Sequence, residues 1–233
     1  MPRYPDAKWH PSPNFGYPAG AHGRNGESVR LYVQHTTDGG NKPGLRNWFI
    51  LSDVAPHFCI FTDGTIDQYV DTEDAAWGCN PILKPDPHIA LSGDNANLID
   101  INIEWQGKPG VPLTRKQLEA GIKLHLWLNL THPLFALDRN HIVGHYQINS
   151  VDRANDPGPA FPWDRLMEGM KGEDMTFTDK DKTDLDNARN VVRGFAALLK
   201  TAHDSFPLLV NVEPGKQLTG ASETLDRILG GLQ

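Results

Sequence analysis

Alternation of apolar and polar positions marks the strands of this chain. In IDINIEW, Ile99, Ile101, Ile103 and Trp105 fall on one side of an extended backbone, and Asp100, Asn102 and Glu104 on the other. A strand over 29–34 places Leu31 and Val33 on one face, with His35 closing the run in VRLYVQHTT. The segments HFCIFT and TIDQYV flank Asp63-Gly64, a dipeptide that favours a two-residue hairpin turn. Thr114 followed by Gln117 reads as a capping box, and Leu118, Ile122 and Leu126 continue it as a helical stripe. A short strand HIVGH and a helix opening near Pro162 follow. Strands mixed with helices predict an α/β (mixed) layer fold.

The flanks differ from this pattern. Residues 1–28 are rich in Pro, Gly, Asn and His and read as an irregular wrapped arm. Beyond KGEDM, Leu185, Ala188, Val192, Phe195, Leu199 and Ala202 recur at helical spacing, and Leu225, Ile228 and Leu229 suggest a second, shorter helix. The expected organisation is one domain over 1–171 and a helical tail over 172–233, which either docks on the domain, self-associates or meets a partner.

Composition narrows the function. A net charge of −7 leaves no basic stripe for displacing counterions, which speaks against a nucleic-acid binder but leaves a neutral or mixed-charge polymer such as a glycan open as partner. No apolar run reaches the length of a membrane span, and the N-terminus lacks a basic start followed by an apolar stretch, so synthesis in the cytoplasm without a signal peptide is expected. Two cysteines, Cys59 and Cys79, cannot form a disulfide framework, and Cys59 alternates within its strand as a small buried residue would.

The segment HIVGHYQINSVDRANDPGPAFPW carries the candidate chemistry. His145 closes a short strand, and Asp156 lies eleven residues later in an Asp-Pro-Gly turn. With His35 they supply two imidazoles and one carboxylate, a three-ligand zinc set with one position open. His141 competes for the second place, but four residues on a strand do not present two imidazoles as a helical pair does. Taken one at a time, each residue also has a purely structural reading, Asp156 as a turn former among them.

The order VQHTT, HFCIFTDGTIDQYV, AWGCN, INIEW, IVGHYQIN and NDPGPAFPW resembles the type 2 N-acetylmuramoyl-L-alanine amidases. This zinc amidase family includes phage endolysins, bacterial wall amidases and peptidoglycan recognition proteins. The likeness runs from about residue 29 to 168, and the opening YPDAKWHPSPN looks most like actinobacteriophage endolysins. It implies a central mixed β-sheet flanked by helices, with one zinc at the mouth of a peptide groove. It makes His35, His145 and Asp156 the ligands and Glu104 the acid–base residue beside the metal. His57, Trp77, Asn102 and Arg153 become candidate substrate contacts, with packing the competing role for His57 and Trp77.

The chain departs from the family at three places, one of them Pro56, where some phage members have a tyrosine just before the residue matching His57. Gly78 stands where an AWH-type motif has histidine, and Ala154 where many members have a lysine two residues before the ligand aspartate. Either the oxyanion is then held by zinc, with Arg153, Asn155 or His57 assisting, or turnover is impaired. The implied reaction is hydrolysis of the amide between N-acetylmuramic acid and L-alanine in bacterial peptidoglycan, in the manner of an endolysin acting on the wall at lysis. A peptidoglycan-binding protein that keeps the fold without catalysis is the alternative from another class, and an assembly protein driven by the tail is a third.

Overall fold

The computed structural model describes residues 3–171, and the tail expected at 172–233 lies outside them. A six-stranded sheet forms the centre: β1 (Ala7–Trp9), β2 (Leu31–Thr36), β3 (Phe58–Ile60), β4 (Ile66–Gln68), β5 (Asp100–Trp105) and β6 (Ile142–Gly144). Their order is β1-β4-β3-β5-β2-β6. Every neighbouring pair runs parallel except the β3–β4 hairpin. That hairpin turns at Gly64, whose φ of 84° is the left-handed backbone the Asp-Gly signal anticipates. The sheet is therefore mixed, as expected, and the compact unit carrying it runs to Trp127 and resumes from Leu134 to Met167.

Among the described residues three α-helices accompany it: α1 (Lys42–Leu51), α2 (Arg115–Thr131) and α3 (Trp163–Met170). The capping box holds at α2: Thr114 N donates to Gln117 Oε1 at 3.0 Å, and Gln117 N donates to Thr114 Oγ1 at 3.1 Å. Leu118, Ile122 and Leu126 are all buried. The sequence reading missed α1. Its signals are Asn41, whose side chain accepts from Gly44 N at 2.9 Å, and Pro43 in the first turn. Leu45 and Phe49, one turn apart, are its buried face. The arm, read as irregular, also contributes β1, which pairs with β4 at the sheet edge.

Both sheet faces are covered, as parallel strands require. On one face the Tyr32 and Trp105 rings meet His125 of α2, at centroid distances of 5.8 and 6.4 Å. Gly121 makes this approach possible, because a Cβ there would fall within the Trp105 ring. On the other face, Cys59 packs with Leu45 and Phe49 of α1 and with Tyr69. Leu31 and Val33 pack there with Cys79, Ile89, Ala96 and Ile148. Ile99, assigned by alternation to the Trp105 side, precedes β5 and joins this second cluster instead. Both cysteines are free and buried, in separate clusters.

Candidate metal centre

The carboxyl ends of three adjacent parallel strands, β5, β2 and β6, come together at one edge of the second face. His35 is the penultimate residue of β2, Glu104 is its register partner on β5, and His145 immediately follows β6. Such strand ends are where open α/β sheets place ligands. Asp156 arrives from the loop after β6, and Thr36 N donates to its Oδ1 at 2.7 Å.

His35, His145 and Asp156 converge as the sequence reading expected, their ligating atoms all within 4.8 Å of one another. Among the described residues this is the set of His, Cys, Asp and Glu side chains grouped closely enough to hold a metal. Nδ1 of each histidine lies 3.2 Å from Asp156 Oδ2, and the two rings meet edge-on at 70°. A tetrahedral zinc with bonds of about 2.0–2.1 Å would space its ligand atoms by about 3.3 Å. The donor set, two nitrogens and a carboxylate oxygen, also suits zinc, so the residues fit the ion. His141 is elsewhere, its Nδ1 2.7 Å from Asp138 Oδ1.

Charge is concentrated here. Burial disfavours protonation of His35, but the Asp156 carboxylate outweighs it, and with Glu104 and Asp100 lifts the imidazole to about 9. Burial alone would raise Asp156, yet the two histidines hold it below the ordinary carboxylate range. His145 is pushed down, first by burial. Glu104 rises to about 7, chiefly through burial, with His35 and Arg153 opposing and Asp156 adding. Its Oε2 is buried and has no hydrogen-bond partner among the described residues. A carboxyl group so placed can take and return a proton near neutral pH.

The expected substrate contacts divide. Arg153 is exposed and close enough for its charge to act on Glu104 and His145. Trp77 is partly exposed, and its Nε1 donates to Gly16 O at 3.1 Å, which ties it to the arm. His57 and Asn102 need correction, because both are fully buried and offer no surface to a substrate. His57 Nδ1 accepts from Asn102 N at 2.9 Å, and its Nε2 stands 3.0 Å from both Asp74 O and Arg24 Nη2. Asn102 lies behind His35 rather than in a groove, its Oδ1 3.0 Å from His35 Nε2. His57 thus cannot assist at an oxyanion. The reading also missed Thr36, whose main-chain N–H orients Asp156, and Asp100, whose only signal was its place on the Asn102–Glu104 face.

Comparison with known proteins bears on family and fold. The chain is 32% identical over 122 residues to the 1,6-anhydro-N-acetylmuramyl-L-alanine amidase AmpD of Haemophilus influenzae, covering 51% of this chain and 59% of that protein. The AmpD of Enterobacter cloacae is 32% identical over 121 residues, covering 52% and 57%. The chain thus spans little more than half the length of these curated relatives. A crystal structure of a selenomethionine AmpD derivative superposes with a TM-score of 0.58 at 24% identity, over 70% of this chain and 94% of that one, and so shares the fold. The model of the family described as N-acetylmuramoyl-L-alanine amidase matches residues 25–159, a span that holds His35, His145, Asp156 and Glu104, and the chain belongs to that family.

Proposed function

We propose that this protein is a zinc-dependent N-acetylmuramoyl-L-alanine amidase that hydrolyses the amide between N-acetylmuramic acid and L-alanine in bacterial peptidoglycan. The observation that carries the reading is the convergence of His35, His145 and Asp156 beside a half-buried carboxyl group, Glu104. Family membership supplies the substrate class.

His35, His145 and Asp156 would hold the ion, Thr36 N fixing the carboxylate and leaving its Oδ2 between the two imidazoles. When bound, zinc supplies Lewis acidity, which polarises an amide carbonyl and makes water a nucleophile near neutral pH. Glu104 takes a proton from the attacking water on its carboxylate and delivers it to the departing amine of L-alanine. One group performs both transfers because burial keeps its affinity for the proton near the working pH. Arg153 lends positive charge as the carbonyl oxygen becomes negative, in place of the lysine that Ala154 does not provide.

Two forms of substrate are distinguished. The motif order favours polymeric wall, cut as an endolysin cuts it. The curated relatives are named as amidases of 1,6-anhydro-N-acetylmuramyl-L-alanine, which favours small soluble muropeptides as a second reading. No helix among the described residues is long and apolar enough to cross a membrane.

The test is product analysis on purified wall and on a soluble anhydromuropeptide, with chelator and zinc add-back. Release of stem peptide that stops with chelator and returns with zinc is expected. Undiminished turnover in metal-free protein, or stoichiometric zinc retained by His145→Ala, would overturn the reading.

A further inference from the structure

Behind His35, a line of polar side chains runs along β5 into the closed interior. His35 Nε2 lies 3.0 Å from Asn102 Oδ1, and Asn102 Nδ2 donates to Asp100 Oδ1 at 3.0 Å. Neither Asn102 nor Asp100 has exposed surface. The main chain of Asn102 is held as firmly: its N–H donates to His57 Nδ1, and its carbonyl accepts from His57 N at 3.1 Å. Arg24, itself buried, places a compensating charge near Asp100.

The chemistry of these groups favours one arrangement. A side-chain amide can present either its oxygen or its NH2 to a neighbour, and its surroundings decide which. Burial lifts Asp100 to about 7 against the opposing effects of Cys79, Arg24 and His35, and in either protonation state its Oδ1 can accept from the NH2 end of Asn102, which turns the amide oxygen toward His35. An oxygen facing Nε2 requires the imidazole proton to sit there. In the neutral ring that binds a metal, the lone pair is then left on Nδ1, the atom that lies 3.2 Å from Asp156 Oδ2. We propose that Asp100 and Asn102 are positioning residues that hold His35 in its metal-ligating form, Asp100 acting through the orientation of the Asn102 amide.

The surrounding packing is shaped to this pair. A Cβ at Gly78 would stand 2.8 Å from Asn102 Oδ1, so glycine is what leaves room for the amide. The position where the resembled family carries a histidine is thus vacated, and the Asn102 side chain lies against it. Cys79 Sγ, 2.7 Å away, donates to the second lone pair of the same oxygen. The other candidate ligand has no counterpart, since His145 Nε2 is buried with no partner among the described residues.

This inference rests on the metal reading above, and the experiment separates the two. Zinc affinity of the full chain is measured by chelator competition for wild type, Asn102→Leu, Asn102→Asp and Asp100→Asn. Partners that orient metal-bound histidines typically contribute about 10–100-fold in affinity. Asn102→Leu is expected to weaken zinc by about that factor, and Asp100→Asn by about three- to tenfold. Asn102→Asp, which keeps an acceptor against Nε2, is expected to stay within about threefold. Equal affinity in wild type and Asn102→Leu overturns the inference and leaves the metal site standing, whereas a wild-type chain that binds no zinc overturns both.

A second measurement needs no folded variant. Nitrogen-15 NMR of the zinc-loaded wild-type imidazoles should show His35 with metal on Nδ1 and a slowly exchanging proton on Nε2. Metal on Nε2, or an Nε2 proton that exchanges at the solvent rate, would overturn the proposal.

Discussion

His35 on β2 and Glu104 on β5 are register partners across a parallel pair, so candidate ligand and candidate base stand side by side on one sheet face. Two consequences follow from this pairing. The carboxylate is carried by the same hydrogen-bonded ladder that carries the ligand, so neither depends on a mobile loop for its position. The Asn102 and Asp100 side chains fall on the same face by the two-residue period, directly below Glu104 and away from solvent.

Glu104→Gln preserves shape and a hydrogen-bonding end but removes the proton acceptor. Zinc content should stay at the wild-type level while turnover falls by roughly a hundredfold or more. Metal analysis beside single-turnover kinetics checks this, and a loss of less than about threefold would move the proton transfer to another group.

Arg153→Ala tests the replacement for the family lysine. Because Arg153 is exposed, its contribution should be smaller than that of an enclosed oxyanion donor: about tenfold in turnover at low salt, shrinking as ionic strength rises. Unchanged turnover at every salt concentration would leave the oxyanion to other groups.

His125 makes stability depend on pH away from the site. It is fully buried, and burial pushes its imidazole from 6.5 down to about 4, with Gly121 O accepting from Nδ1 as a smaller opposing effect. Between those values the unfolded chain binds the proton and the folded one does not. This contribution to stability is therefore lost as pH falls from about 6.5 to about 4, and amounts to about 3 kcal/mol at most. His125→Leu should flatten the acid limb of thermal unfolding over that window, and an unchanged limb would exclude His125 as its source.

Gly121→Ala is expected to destabilise although alanine favours helix. The added Cβ would meet the fully buried Trp105 ring, and such overpacking costs about 1–3 kcal/mol, more than the roughly 1 kcal/mol of helix propensity gained. A denaturant midpoint at or above wild type would show that Trp105 has room to move.

Much of the fold was legible locally. Alternation marked β5, the Asp-Gly turn marked the β3–β4 hairpin, and the capping box marked the start of α2, because each depends on residues adjacent in the chain. α1 escaped notice because Pro43 and Gly44 interrupt its opening and only Leu45 and Phe49 form its apolar face. β1 escaped because three residues at a sheet edge have no pattern of their own; a distant partner, β4, makes them a strand.

At the site the division is similar. Sequence by itself determined the residue types and their order: two histidines at strand ends, an aspartate in a turn, and a glutamate on a polar strand face. It also marked Gly78 and Ala154 as departures from the family. Tertiary structure alone decided depth. His57 and Asn102 carry the same polar side chains as surface residues do, and only the loops laid over that sheet face close them off from any substrate. The orientation of the Asn102 amide against His35 depends on Asp100 two residues away and on Cys79 and Gly78 more than twenty residues earlier. Periodicity reports which way a side chain points, whereas burial and hydrogen-bond partners are set by segments far apart in the chain, and these assign a polar residue to substrate or to support.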